Sequence, residues 1–182
     1  MRKWLSIIFF VAFTLWIGLI FYFSTRFPDE SARQANFAYN ILKKLDRTFD
    51  FSDTELFIKL RKFFTILWFG KYRATTIEFV RKSAHFGLYF FLGIISFEFG
   101  FLYTRKLLSA LLIGISLPSL VASFDEYSQQ FFQRGSSIND VMIDISGAIF
   151  GTLIGLLLLC SVKFILRIRS RKSNQLDKNQ PL

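Results

Sequence analysis

Histidine and cysteine are nearly missing from these 182 residues, which contain one of each, His85 and Cys160. A single cysteine excludes any intramolecular disulfide, and its place inside an apolar block reads as a small buried hydrophobe rather than a reactive thiol. A lone histidine with no second His or Cys nearby offers no metal-ligating set, so neither a metal nor another cofactor is expected. Nor does the chain carry a phosphate loop or a recognisable nucleophile, which weakens the case for covalent catalysis. Acidic residues are also scarce, 13 against 23 Lys and Arg, leaving a formal charge of +10. Nucleic-acid binding does not follow, because the basic residues are spread over the N-terminus, a long first loop, a short second loop and the tail. They fit membrane flanks instead, and the expected partner is membrane lipid, where each juxtamembrane cation gains roughly 1 kcal/mol near an anionic surface.

What the sequence has in excess is apolar surface: 52% of its residues are hydrophobic and 25 are phenylalanine. These residues come in blocks of about 20, the length that crosses a ~30 Å hydrocarbon core at about 1.5 Å per residue. Four blocks stand out, at 4–23, 84–103, 107–124 and 141–166. They predict an all-α polytopic membrane protein, one domain over 1–182, with four transmembrane helices. A signal peptide is the rival reading of the first block, but its apolar run exceeds the usual ~7–15 residues and no A-x-A pattern follows. Residues 24–75 are too polar to span and are expected to form an extracytoplasmic helical loop, with Pro28 stopping the first helix. Two helices are predicted there, near 31–45 and at 55–69. The second has Leu56, Phe57, Leu60, Phe63, Phe64, Leu67 and Trp68 on one face and Glu55, Lys59, Arg61 and Lys62 on the other. That face suits either the headgroup region of a bilayer or packing on the other helices. Thr75 and Glu78 form a capping box, so a long helix should start near Thr76. Gly147, Gly151 and Gly155 recur every four residues, a face for close helix approach within the chain or in a homo-oligomer. The segment 167–182 reads as a basic, disordered cytoplasmic tail.

Orientation follows from the short flanks: Arg2 and Lys3, Arg105 and Lys106, then Lys163, Arg167, Arg169, Arg171 and Lys172. They share one side when both termini are cytoplasmic. The basic first loop opposes this, yet its length approaches that at which translocation ignores charge. On this topology Ser24, Lys82, His85, Asp125, Glu126, Gln129, Arg134, Asp140 and Asp144 converge at the outer ends of all four spans. Lys82, His85 and Tyr89 stand at i, i+3 and i+7, while Asp125 with Gln129 and Asp140 with Asp144 repeat i, i+4, so each set shares a helix face. Charges at membrane helix ends need partners or a wet pocket, since burying one in hydrocarbon costs roughly 2.5–3.5 kcal/mol on the mildest scale. The set is either an ion-pair network locking helices together or a polar pocket.

The ordered residues resemble those of the VanZ-like membrane proteins: Arg81-Lys82-Ser83-Ala84-His85-Phe86, then Asp125-Glu126-Tyr127-Ser128-Gln129, then Arg134 through Gly135-Ser136-Ser137-Ile138-Asn139-Asp140-Val141, and finally Asp144 and Gly147. The match is close over 81–155. It departs at Ser128, where several members carry His, at Phe132-Gln133, where they carry Pro-Gly, and at Leu88, where they carry Glu, so a mechanism needing a second histidine is in doubt. The resemblance implies a bacterial cytoplasmic-membrane protein connected with resistance to teicoplanin-type glycopeptides. Two readings of function are open. One is a binding or envelope-modifying protein whose partner is a lipophilic antibiotic or a lipid-linked precursor. The other is an enzyme on such a substrate, with His85 or Glu126 as acid/base, Asp125 orienting it, and Lys82 and Arg134 holding a phosphate or carboxylate. A weaker third is a proton-coupled transporter using Glu98 and Asp144, for which four spans without an inverted repeat are poorly suited.

Overall fold

The computed structural model describes residues 2–70 and 75–178, and within them every regular element is a helix. They are α1 (Arg2–Ser24), α2 (Pro28–Phe49), α3 (Glu55–Phe69), α4 (Thr76–Thr104), α5 (Leu107–Gln129) and α6 (Ile138–Lys178), with a 3-10 turn at Gln130–Phe132 between the last two. Four segments are long and apolar enough to cross a membrane: Lys3–Ser24, Thr76–Thr104, Leu107–Phe132 and Ile138–Arg169. The fold is therefore the all-α, four-span arrangement that the hydropathy blocks predict.

Local chemistry marks where each helix begins and ends. The Thr75 hydroxyl accepts from the Glu78 N–H at 3.3 Å while Glu78 Oε2 accepts from the Thr75 N–H at 3.0 Å, which closes the expected capping box. Thr54 caps α3 in the same way from one side, accepting from the Phe57 N–H. Three helices stop at a left-handed residue: α2 at Asp50, α3 at Gly70 and α4 at Arg105, each donating its N–H to the carbonyl four residues back. Pro28 behaves differently from the expectation. α1 ends at Ser24 without it, and Pro28 instead opens α2, where its missing N–H costs nothing and its fixed φ suits the first turn.

The glycines at 147, 151 and 155 face α4 of the same chain. A Cβ on Gly147 would strike the Phe86 carbonyl oxygen, one on Gly151 the Phe90 carbonyl oxygen, and one on Gly155 the Phe97 ring at 2.8 Å. Backbones meet here, so of the two partners weighed for this face, a helix of the same chain occupies it. α4 and α6 run parallel, with both N-termini at one end of the bundle. α1 packs on α4, pinned by the Trp16 indole N–H donating to the Leu88 carbonyl at 2.8 Å.

The two shorter helices cover the same end. On α3, Trp68 is buried and packs at a tilt against Phe79 and Phe86, and Phe64 meets Phe86 as well. Leu56, Leu60, Phe63 and Leu67 remain exposed as a second strip. The single apolar face read from the sequence is thus divided, part packing on α4 and part left for another apolar medium. α2 extends beyond the predicted 31–45 at both ends and exposes Phe37, Ile41, Leu45 and Phe49 at four-residue spacing. Two further expectations are corrected. Cys160 is exposed rather than buried, because α6 turns that side away from its neighbours. The tail expected as disordered from 167 continues α6 as helix to Lys178, an uninterrupted run with no Gly or Pro to break it, while 179–182 lie outside the described residues.

Candidate functional site

Alternating helix directions carry the C-terminal ends of α1 and α5 and the N-terminal ends of α4 and α6 to one end of the bundle, opposite the start of α1 and the end of α6. Ser24, Lys82, His85, Asp125, Glu126, Gln129, Arg134, Asp140 and Asp144 all lie there, whereas Glu98 stands in the C-terminal part of α4, toward the other end. Two rungs one helical turn apart join α4 to α6. Lys82 Nζ stands 2.9 Å from Asp140 Oδ1, and His85 Nδ1 stands 3.5 Å from Asp144 Oδ1. The i, i+3 spacing on α4 therefore matches the i, i+4 spacing on the parallel α6. The first rung is partly open, with side chains 13% and 23% exposed, whereas Asp144 is wholly buried.

Helix α5 supplies Asp125, Glu126 and Gln129, all buried. Asp125 faces the hydroxyls of Ser24 from α1 and Tyr89 from α4. Glu126 points the other way and takes the Ser137 backbone N–H at 2.6 Å, which ties the α5–α6 loop to the bundle. From that loop Arg134 donates to the Ser24 carbonyl at 3.1 Å, holding α1 to the site. Burial, together with the nearby Arg81 charge, lowers the Arg134 guanidinium below its ordinary value, though a guanidinium remains a cation at any physiological pH. Asn139 donates to the Trp68 carbonyl at 2.8 Å and fastens α3 over the same end. Several buried polar atoms have no protein hydrogen-bond partner among the described residues, including Ser24 Oγ, Tyr89 Oη, Asp125 Oδ1, Glu126 Oε2 and both Asp144 carboxylate oxygens. Buried polar groups left without partners are costly, so their concentration at one place makes this end of the bundle the candidate site.

Two cavities border these groups. A polar chamber of about 510 Å³ lies under the α5–α6 loop and is lined by Arg81, His85, Gln129, Arg134 and Asp140 among others. An apolar groove of about 760 Å³ runs along α1, α2 and α4, past Trp16, Ile20, Phe37, Ile41 and Phe91. Ser31, Ala35, Arg81, His85 and Arg134 line both, so the two spaces adjoin at a cationic threshold. Charge on one side and hydrocarbon on the other is a receptacle suited to an amphiphile.

Sequence spacing left out two contributors, Arg81 and the Ser137 N–H, and did not pair a third, Tyr89, with Asp125. Arg81 faces both cavities, and its position directly before Lys82 was the available clue. Tyr89 was visible as a face-mate of His85, but nothing local set it opposite Asp125. The Ser137 N–H acts through backbone, for which no residue type is a signal. The structure also forms a group that the reading of a lone histidine did not anticipate: His85, Asp125 and Asp144 each offer one ligand atom, all within 4.8 Å of one another.

Comparison with known proteins gives one family. The family model described as VanZ/LLP1 matches residues 9–160, a stretch that contains all the site residues named above. No curated protein and no solved structure matches the chain.

Proposed function

The chain belongs to the VanZ/LLP1 family, and from that premise we propose that it captures an amphiphile with an anionic headgroup at the outer face of a bacterial cytoplasmic membrane, and so modifies or shields the envelope. One observation carries this reading: the polar chamber and the apolar groove share Arg81, His85 and Arg134 at their boundary. An acyl or prenyl chain in the groove would bring its headgroup against those cations. Guanidinium groups suit phosphate and carboxylate, which they bind with two parallel hydrogen bonds. The outward orientation is supported by the basic short flanks at the opposite end of the bundle, Lys3, Arg105, Lys106, Lys163, Arg167 and Arg169. Glycopeptide resistance of the teicoplanin type is a consequence that fits this placement, because either a lipophilic antibiotic or the lipid-linked precursor it attacks has the required two-part chemistry.

Native mass spectrometry of the purified chain, challenged with equal amounts of an anionic and a zwitterionic phospholipid, tests the reading. Preferential retention of the anionic lipid is expected, with the preference lost when Arg81→Gln and Arg134→Gln are combined. Equal retention of both lipids by the unaltered chain would rule the proposal out.

A second reading, chemistry on the captured molecule, is favoured by the pairing of part-exposed His85 with buried Asp144 at the threshold, an arrangement that orients an imidazole for proton transfer. Comparison of lipids and wall precursors in membranes with and without the protein separates the two, since only an enzyme leaves an altered molecule behind.

A further inference from the structure

The inner group of the site is short of positive charge. Asp125 and Asp144 are 1% and 0% exposed; Lys82 lies against Asp140, and Arg134, which gives one N–H to the Ser24 carbonyl, acts on Asp125 from the loop and leaves His85, among the described residues, as the one cationic group beside Asp144. Two carboxylates brought together out of water repel and lose hydration, a cost that an imidazolium can offset only in part. A divalent cation would neutralise both, and the geometry is compatible with one.

We propose that His85, Asp125 and Asp144 form a binding site for a single divalent metal ion of the zinc class. Each residue offers one ligand atom and the three lie within 4.8 Å of one another. The 3.5 Å between His85 Nδ1 and Asp144 Oδ1 is close to the edge of a tetrahedron drawn around an ion with bonds of about 2.0–2.1 Å. The third ligand, within 4.8 Å of the others, would close in by side-chain rotation on binding. One nitrogen and two carboxylate oxygens suit zinc and its neighbours better than calcium or magnesium, which favour oxygen alone.

A second observation, independent of the acidic pair, points the same way. Tyr89 and Ser24 are 0% and 2% exposed, carry hydroxyls with no protein partner among the described residues, and face Asp125. Outer groups of this kind fix a ligating carboxylate by donating to the oxygen that does not hold the metal. Three protein ligands leave a coordination position open. His85 borders both cavities and Asp125 borders the groove, so the open position is set beside the threshold where a headgroup oxygen would arrive. Whatever the bound amphiphile proves to be, the metal site stands or falls separately, since it does not use Arg81 or Arg134.

The full chain is purified in detergent, stripped with a chelator, freed of the chelator and titrated with Zn(II) alone, and then with Co(II) as a spectroscopic stand-in. Uptake of one equivalent is expected, with visible Co(II) bands of the intensity given by four- or five-coordinate sites. Asp144→Asn and His85→Gln should each weaken Zn(II) binding more than about 100-fold and Tyr89→Phe about tenfold, in keeping with the usual cost of losing an inner or an outer group. Glu98→Gln, on the same helix as His85 but remote from the group, should change nothing. X-ray absorption of the Zn(II)-loaded unaltered chain provides a test that needs no variant, with imidazole and oxygen expected around the ion and no sulfur. Absence of stoichiometric uptake by the unaltered chain overturns the proposal. So does sulfur in the zinc shell, which would implicate Cys160, or full binding by a folded Asp144→Asn chain.

Discussion

Each charged side chain at this end of the bundle has a different task, and the difference lies in what it touches. Lys82 and Asp140 touch each other at 2.9 Å near the opening, so they act as a strut between α4 and α6. Removing one partner strands the other in a partly dry place. Lys82→Gln and Asp140→Asn should therefore each lower stability, by less than the ~3–5 kcal/mol seen for fully buried pairs because both side chains keep some water. The combined variant should recover much of the loss, with a coupling of about 0.5–3 kcal/mol. Thermal unfolding of the four chains in detergent measures this, and strictly additive losses would mean that the two residues do not support each other. Arg134 is placed otherwise. Its bond to the Ser24 carbonyl uses one donor of its five and leaves the rest of the guanidinium beside the chamber.

Helices in this protein are defined locally but spaced by their neighbours. The start of α4 at Thr76 and the limits of α3 at Glu55–Phe69 are readable from the residues themselves, since a capping threonine, a capping glutamate and a terminal glycine act within one turn. The face-sharing of Gly147, Gly151 and Gly155 is equally readable; what they approach is not. In the fold they admit the carbonyls of Phe86 and Phe90, which sets the separation of α4 from α6 and so the lengths of both rungs. Gly151→Ala should therefore reduce stability, overpacking costing about 1–3 kcal/mol. Gly87→Ala, with nothing within 4 Å of the added carbon, should instead gain some of the roughly 1 kcal/mol by which alanine exceeds glycine in a helix. Opposite shifts in melting temperature are expected for the two variants. A Gly151→Ala chain as stable as Gly87→Ala would show that the close approach is not a constraint.

For the molecule as a whole, four spans place the start of α1 and the end of α6 at one end and the chamber at the other, whichever way the bundle sits. The orientation proposed here rests on the basic flanks and is open to direct measurement. In a background carrying Cys160→Ser, since that thiol is exposed, a cysteine introduced at Ser52 or Ser136 should react with an impermeant maleimide in intact cells. One at Ser173 should react only after permeabilisation. Labelling of Ser173 alone in intact cells would turn the bundle over and put the chamber on the cytoplasmic side. The exposed strips of α2 and α3 lie at the chamber end, together with the mouth of the apolar groove, so the same experiment also decides which leaflet the groove could draw from.

By itself the sequence determined the four spans, the limits of α3, the capping box of α4, the family motif and the expected gathering of the polar residues at one end. These follow from properties that act over one helix at a time. Hydrocarbon forces every backbone group to bond within its own segment, so length and apolarity are enough to place a span. Only the tertiary structure decided that Lys82 and His85 pair across to Asp140 and Asp144, that Arg134 reaches Ser24, that Asp125 joins His85 and Asp144 in one buried group, and that a groove opens between α1, α2 and α4. Those contacts depend on the rotation and separation of helices far apart in the chain. Rotation and separation are settled by interlocking surfaces, glycine against carbonyl and Trp16 against Leu88, which no single stretch of residues contains.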